Sequence, residues 1–126
     1  MPDSAPHTDI DRHVIALLEE FGQRDADVVQ LTIDLIAAPS PNPPGDETAP
    51  AALIVETCRR LGLPDPVVVG AVPHRPNLIV TIDSGKPGPH VGFCGHTDTK
   101  PVGDAAPLWR TDPFAGTIEG DRLYGL

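Results

Sequence analysis

Basic residues are scarce in this 126-residue chain, where nine Lys and Arg stand against eighteen Asp and Glu and leave a net charge of −9. Nothing like a Lys/Arg cluster interrupts that balance, so nucleic acid and anionic membrane surfaces are poor partners, and small molecules or proteins are favoured. Long apolar runs are also missing, and the stretch from Met1 to Asp11 is polar and acidic without an apolar segment. Neither a membrane span nor a secretory signal is read, and a cytoplasmic protein is expected. Only two cysteines occur, Cys58 and Cys94, far apart and outside any CxxC pair. Buried free thiols are expected rather than a disulfide framework. No internal repeat is visible. What the chain has in excess is Pro, at 16 residues, and Gly, at 12, both clustered between periodic segments, where they act as punctuation. The 40% apolar content is enough for the core of one small domain.

After an acidic leader over residues 1–9, expected to be disordered, Ile10 to Phe21 carries Val14, Leu17, Leu18 and Phe21 at helical spacing before Gly22. A second helix is predicted from Asp25 to Ala38, with Asp25 and Asp27 in its first turn complementing the helix dipole and Pro39 ending it. The Pro-rich run from Pro39 to Gly45 reads as a stiff connector. Thr48 is placed as the N-cap of a third helix that has Pro50 in its first turn and runs to Leu61. Beyond Gly62 the period changes. Val67–Val72, Asn77–Asp83 and His90–Gly95 are apolar runs of strand length, and near-continuous apolar runs suggest strands covered on both faces. Thr99 to Pro113 reads as loop, followed by short strands Phe114–Ile118 and Arg122–Tyr124 joined in a hairpin at Glu119-Gly120-Asp121. Helices first and strands next in one small chain imply an α/β sheet with helices packed on it.

The chemistry is concentrated in Gly95-His96-Thr97-Asp98, directly after the apolar run Val91-Gly92-Phe93-Cys94. On an extended backbone side chains repeat every second residue, so His96 and Asp98 share one side of the chain at a strand end. A neutral imidazole ligates a divalent transition metal, and a neighbouring carboxylate can fix the ring's tautomer and orientation. The other histidines, His7, His13, His74 and His90, lack ligand-spaced partners and read as exposed or hydrogen-bonded structural residues. Asp104 reads as a turn residue, Trp109 as a loop anchor that could also line a cleft, and Asp46 and Glu47 as dipole partners of the third helix.

Pro44-Gly45-Asp46-Glu47, the strand ending in Gly95-His96-Thr97-Asp98, Trp109-Arg110-Thr111-Asp112-Pro113-Phe114 and Gly120-Asp121-Arg122-Leu123-Tyr124-Gly125 together resemble the amino-terminal part of the M20 metallopeptidase family. That group includes acetylornithine deacetylase, succinyl-diaminopimelate desuccinylase, aminoacylase and glutamate carboxypeptidase. The resemblance covers the chain from about Ala26 to its end. It implies a zinc-exopeptidase catalytic domain with helices on a mostly parallel α/β sheet, of which residues 1–126 would be a part ending in a short hairpin. It assigns His96 as a ligand of one of two catalytic zinc ions, with cobalt or manganese as substitutes, and Asp98 as the active-site residue that orients the ring. The activity implied is metal-dependent hydrolysis of amide bonds in N-acyl amino acids or small peptides, with a homodimer as the full-length form. The family's remaining metal ligands and general base fall beyond Leu126, so the chain is expected to be an inactive amino-terminal fragment. A noncatalytic α/β binding or assembly module that has lost its metal site is the alternative.

Overall fold

The computed structural model describes residues 8–126, which divide into two compact units, one ending at residue 32 and one spanning residues 33–126. In the first unit, helix α1 spans Asp9–Gly22. Thr8 caps it reciprocally: its hydroxyl accepts from Asp11 N–H at 3.2 Å, and the Asp11 carboxylate accepts from Thr8 N–H at 2.8 Å. Two amide groups that no helix turn could satisfy are thereby bonded. Of the leader expected over residues 1–9, residues 1–7 lie outside the described part, while Thr8 forms this cap and Asp9 opens the helix. Helix α2, Asp25–Ile36, starts in this unit and stops two residues short of the expected Ala38.

In the second unit, the end of α2 continues through the connector to helix α3, Thr48–Arg60. Pro50, Ala51, Thr57 and Cys58 are its buried residues, one face at helical spacing, and Ala51 and Cys58, the buried core hydrophobics among the described residues, both lie on it. The helix closes through a Schellman motif, with Leu63 N–H donating to Cys58 O at 2.9 Å and Gly62 N–H to Arg59 O at 3.0 Å. Its N-terminus differs from the expectation. The cap position falls on Glu47, and Asp46 instead accepts from the Thr48 N–H and hydroxyl, so Thr48 is the first helical residue.

The strands are short and pair antiparallel. β1, Val67–Val69, pairs with β2, Asn77–Ile79, in the register Val67↔Ile79 and Val69↔Asn77. Beyond the 3₁₀ turn Gly103–Leu108, β3, Thr117–Glu119, pairs with β4, Arg122–Tyr124, around Gly120 and Asp121. This second hairpin stands where the sequence puts one, with β3 starting three residues later than predicted, because Phe114 and Ala115 N–H groups fold back onto Asp112 in a turn. The hairpin segment rests on the end of α2: Gly116, with φ of +60°, packs so closely that a Cβ there would lie 2.9 Å from Ile33 Cγ2.

The mostly parallel sheet expected from the sequence is not present among the described residues. Its one parallel pairing is an isolated bridge between Pro41 and Thr99. His90–Gly95, expected as a strand, forms no ladder, and the apolar runs expected to be covered on both faces are open: Val68 is 59% exposed and Phe93 97%. The reason is the absence of pairing partners, since a strand needs a neighbour within about 4.8 Å and none lies alongside residues 90–95. Cys94 is accordingly exposed, against the expectation of burial, while Cys58 is buried; both are free. No helix among the described residues is long and apolar enough to cross a membrane.

Candidate functional site

The Pro-rich connector, read from sequence as a spacer, forms one wall of the site. Ser40 is almost fully buried, and its hydroxyl donates to Thr97 O while its carbonyl accepts from Thr99 N–H at 3.0 Å. Thr99 O in turn accepts from Asn42 N–H at 2.9 Å. Residues 40–42 therefore clamp residues 97–99 through three hydrogen bonds, which fixes the segment carrying His96 and Asp98 without a regular sheet.

Asp98 is the hub. Its Oδ2 accepts from Asn42 Nδ2 at 2.8 Å and lies 3.9 Å from an Arg75 guanidinium nitrogen. Its Oδ1 lies 3.0 Å from His96 Nδ1, and that nitrogen is also 2.8 Å from the Asp98 carbonyl oxygen. Both neighbours of Nδ1 are acceptors without a proton to give, so a neutral His96 must carry its proton on Nδ1. The lone pair then sits on Nε2, which has no partner among the described residues, on a side chain 82% exposed. The Asp98 carboxyl is held below the usual carboxylate value of 3.8, first by the Asn42 hydrogen bond and then by His96, with desolvation opposing.

Arg75, at the end of the turn between β1 and β2, reaches a second acid. Its Nε lies 3.2 Å from Glu47 Oε1, and a terminal nitrogen lies 3.1 Å from the same oxygen. Glu47 is 5% exposed, so this is a buried carboxylate with its charge partner and more than a dipole companion of α3, as the sequence had suggested. Asp46 beside it is exposed and serves Thr48.

These groups border a cleft of about 930 Å³ lined by Glu47, Ile54, Arg75, Val80, Phe93, His96 and Asp98 among others. Trp109 is half-buried at the end of the 3₁₀ turn and does not line it, and Asp104 is exposed in that turn's first residues. His13, His74 and His90 are exposed, and His7 lies outside the described residues. No group of three or more His, Cys, Asp or Glu side chains able to hold a metal occurs among the described residues. The donor set here fits one ligand to a metal and its orienting partner: His96 Nε2 is available, and both Asp98 oxygens are already engaged. The sequence singled out His96 and Asp98, and the structure adds Asn42 and Arg75 beside Asp98, with Glu47 on Arg75. The available signal was a basic residue placed in a Pro-flanked turn, Arg75-Pro76, in a chain with few cations to spend on solvent.

Curated proteins of one name are similar to this chain. The chain is 37% identical over 100 residues to succinyl-diaminopimelate desuccinylase from Methylobacterium radiotolerans, covering 77% of this chain and 24% of the relative. It is 39% identical over 105 residues to the enzyme of the same name from Rhodospirillum centenum, covering 79% and 25%, and 35% identical over 102 residues to that of Parvibaculum lavamentivorans, covering 79% and 25%. The similarity to succinyl-diaminopimelate desuccinylases thus runs through about 100 residues of this chain. It spans about a quarter of the length of these curated relatives. No family model matches, and no solved structure matches.

Proposed function

We propose that this chain forms part of an M20-type metal-dependent hydrolase that cleaves amide bonds in N-acyl amino acids or small peptides. In this reading it works in the cytoplasm as a homodimer, on a small-molecule substrate and with zinc, or with cobalt or manganese in its place. His96 is a metal ligand through Nε2 and Asp98 its orienting carboxylate. The observation that carries the reading is the lock on Nδ1: two acceptors hold its proton, which leaves an outward lone pair beside a cleft of substrate size. The homology to desuccinylases supports the reaction class.

When bound, the metal pair of such a hydrolase polarises the amide carbonyl and activates a water. The residues of this chain contribute binding and orientation. Asp98 keeps the ring proton on Nδ1 and so leaves Nε2 free to ligate, and the clamp from residues 40–42 fixes the backbone beside the ring. Catalytic zinc takes about three protein ligands and one open position. One imidazole does not meet that count, so turnover needs donors beyond those described, and the 126 residues alone are inactive in this reading. The mostly parallel zinc-exopeptidase sheet belongs to the same proposal, with the exposed and unpaired run at residues 91–93 as one of its strands.

The test is paramagnetic. Co²⁺ added to the isotopically labelled chain is expected to broaden the His96 ring and the amides of residues 95–98 first, and His96→Ala to abolish the effect. Broadening centred elsewhere, or surviving that substitution, would overturn the reading and favour the noncatalytic module.

A further inference from the structure

Four stretches distant in sequence supply the surroundings of Asp98: the connector gives Asn42, the start of α3 gives Glu47, the β1–β2 turn gives Arg75, and residues 95–99 carry Asp98 itself. We propose that Asn42 and Arg75, the latter anchored by Glu47, are positioning residues that hold the Asp98 carboxylate and thereby determine which ring nitrogen of His96 is left free. The proposal deepens the metal-ligand reading above, and rests on it for the use to which the free nitrogen is put.

The carboxylate of an aspartate turns about a broad, roughly two-fold torsion, so one hydrogen bond to a ring does not fix its plane. Here each oxygen has a different anchor. Asn42 Nδ2 holds Oδ2 at 2.8 Å, which aims Oδ1 at His96 Nδ1, 3.0 Å away. Arg75 places a guanidinium nitrogen 3.9 Å from the same Oδ2, a second neighbour on the oxygen that faces away from the ring contact. An acceptor at that point requires the proton on Nδ1. A carboxylate turned away would leave only the Asp98 carbonyl to hold it.

The anchors are themselves anchored. Arg75 lays its Nε and one terminal nitrogen against the buried Glu47 carboxylate at 3.2 and 3.1 Å, a use of the guanidinium fork that a lysine could not reproduce while still reaching toward Asp98. Glu47 N–H donates to His74 O at 2.9 Å, which ties the acid's backbone to the residue preceding Arg75. Asn42 is fixed through its backbone to Thr99. Gly45 sits between the two, with φ of +79°, and a Cβ there would come within 3.1 Å of Arg75 Cζ and 3.2 Å of Asn42 Oδ1. Both side chains therefore occupy space that only glycine leaves open.

The experiment reads the His96 tautomer directly, from long-range proton–nitrogen correlations of the imidazole at a pH where the ring is neutral. In the unmodified chain the proton is expected on Nδ1. Asn42→Ala, and the charge-balanced double substitution Glu47→Gln with Arg75→Met, are each expected to lower the ratio of Nδ1–H to Nε2–H about five-fold, the factor carried by one hydrogen bond of ordinary net strength. Arg59→Ala, which breaks an exposed ion pair with Asp65, is expected to leave the ratio unchanged. Amide shifts report whether each variant keeps its fold. Should the double variant unfold, Asn42→Ala decides alone, because it leaves every backbone bond of the clamp in place. A ratio unchanged in folded Asn42→Ala overturns the proposal, whatever Co²⁺ does. A shifted ratio without His96-centred Co²⁺ broadening would leave the positioning device standing and remove the metal reading instead.

Discussion

Removing the Arg75 head while leaving Glu47 in place should cost more than any other single substitution at the site. The Glu47 side chain is 7% exposed and depends on Arg75 for charge compensation, at 3.1 and 3.2 Å. Breaking a fully buried pair from one side costs about 3–5 kcal/mol, because the surviving charge stays desolvated. The Arg75 side chain is 40% exposed, so water reaches the pair, and a loss of about 2–3 kcal/mol is expected for Arg75→Met. Glu47→Gln leaves a cation that can hydrate and an amide that still accepts, and should cost about 1 kcal/mol. The double variant places a neutral amide beside an apolar stem and should also cost about 1 kcal/mol, which makes the coupling about 2–3 kcal/mol. Urea unfolding followed through the single tryptophan, Trp109, supplies all four stabilities, with unchanged slopes confirming a common transition. If the double variant loses what the two single variants lose together, to within about 0.5 kcal/mol, the pair is not an anchor and the reasoning fails.

Gly116→Ala should destabilise the second unit by about 3 kcal/mol, combining a left-handed backbone of φ +60° with a Cβ forced to 2.9 Å from Ile33 Cγ2; a urea-derived loss under about 1 kcal/mol would show that the hairpin yields freely. The Asp11 carboxyl is held below its ordinary value of 3.8, first by the Thr8 backbone N–H and then by the Thr8 hydroxyl. Its folded pKa is the lower one, so its contribution is present above the unfolded value and disappears as pH falls through the folded value. Circular dichroism should therefore show α1 fraying on acidification below about pH 3.8, and an identical acid profile in Asp11→Ala would refute the role of this cap. Replacing Val91 and Phe93 by Ser should reduce aggregation while moving the unfolding midpoint by no more than about 0.5 kcal/mol, because side chains 78% and 97% exposed lose little burial. A large drop in light scattering with a large drop in stability would contradict their exposure.

The helices were legible because their signal is local. Ile10–Phe21 was expected and Asp9–Gly22 is found, and the third helix, expected to run to Leu61, is found over Thr48–Arg60. The second hairpin was readable from Glu119-Gly120-Asp121 for the same reason. Strand pairing is not local. Val67–Val72 and His90–Gly95 have the apolar composition of sheet strands, yet composition does not say whether a neighbour lies alongside, and only Val67–Val69 acquires one. The site divides along the same line. His96 and Asp98 sit two residues apart and announced each other, whereas Asn42 and Arg75 reach Asp98 from separations of 56 and 23 residues, and Glu47 meets Arg75 across 28. A buried acid at a helix start also looks, in sequence, just like an exposed one serving the dipole.

The unequal burial of the two cysteines gives the molecule a built-in attachment point. Cys58 is enclosed on the inner face of α3, and Cys94 is open, lines the cleft and stands two residues from His96. A thiol-reactive fluorophore added under native conditions will therefore load at one position. Emission from that dye will change when anything, whether polypeptide, substrate or ion, comes to rest against this side of the protein.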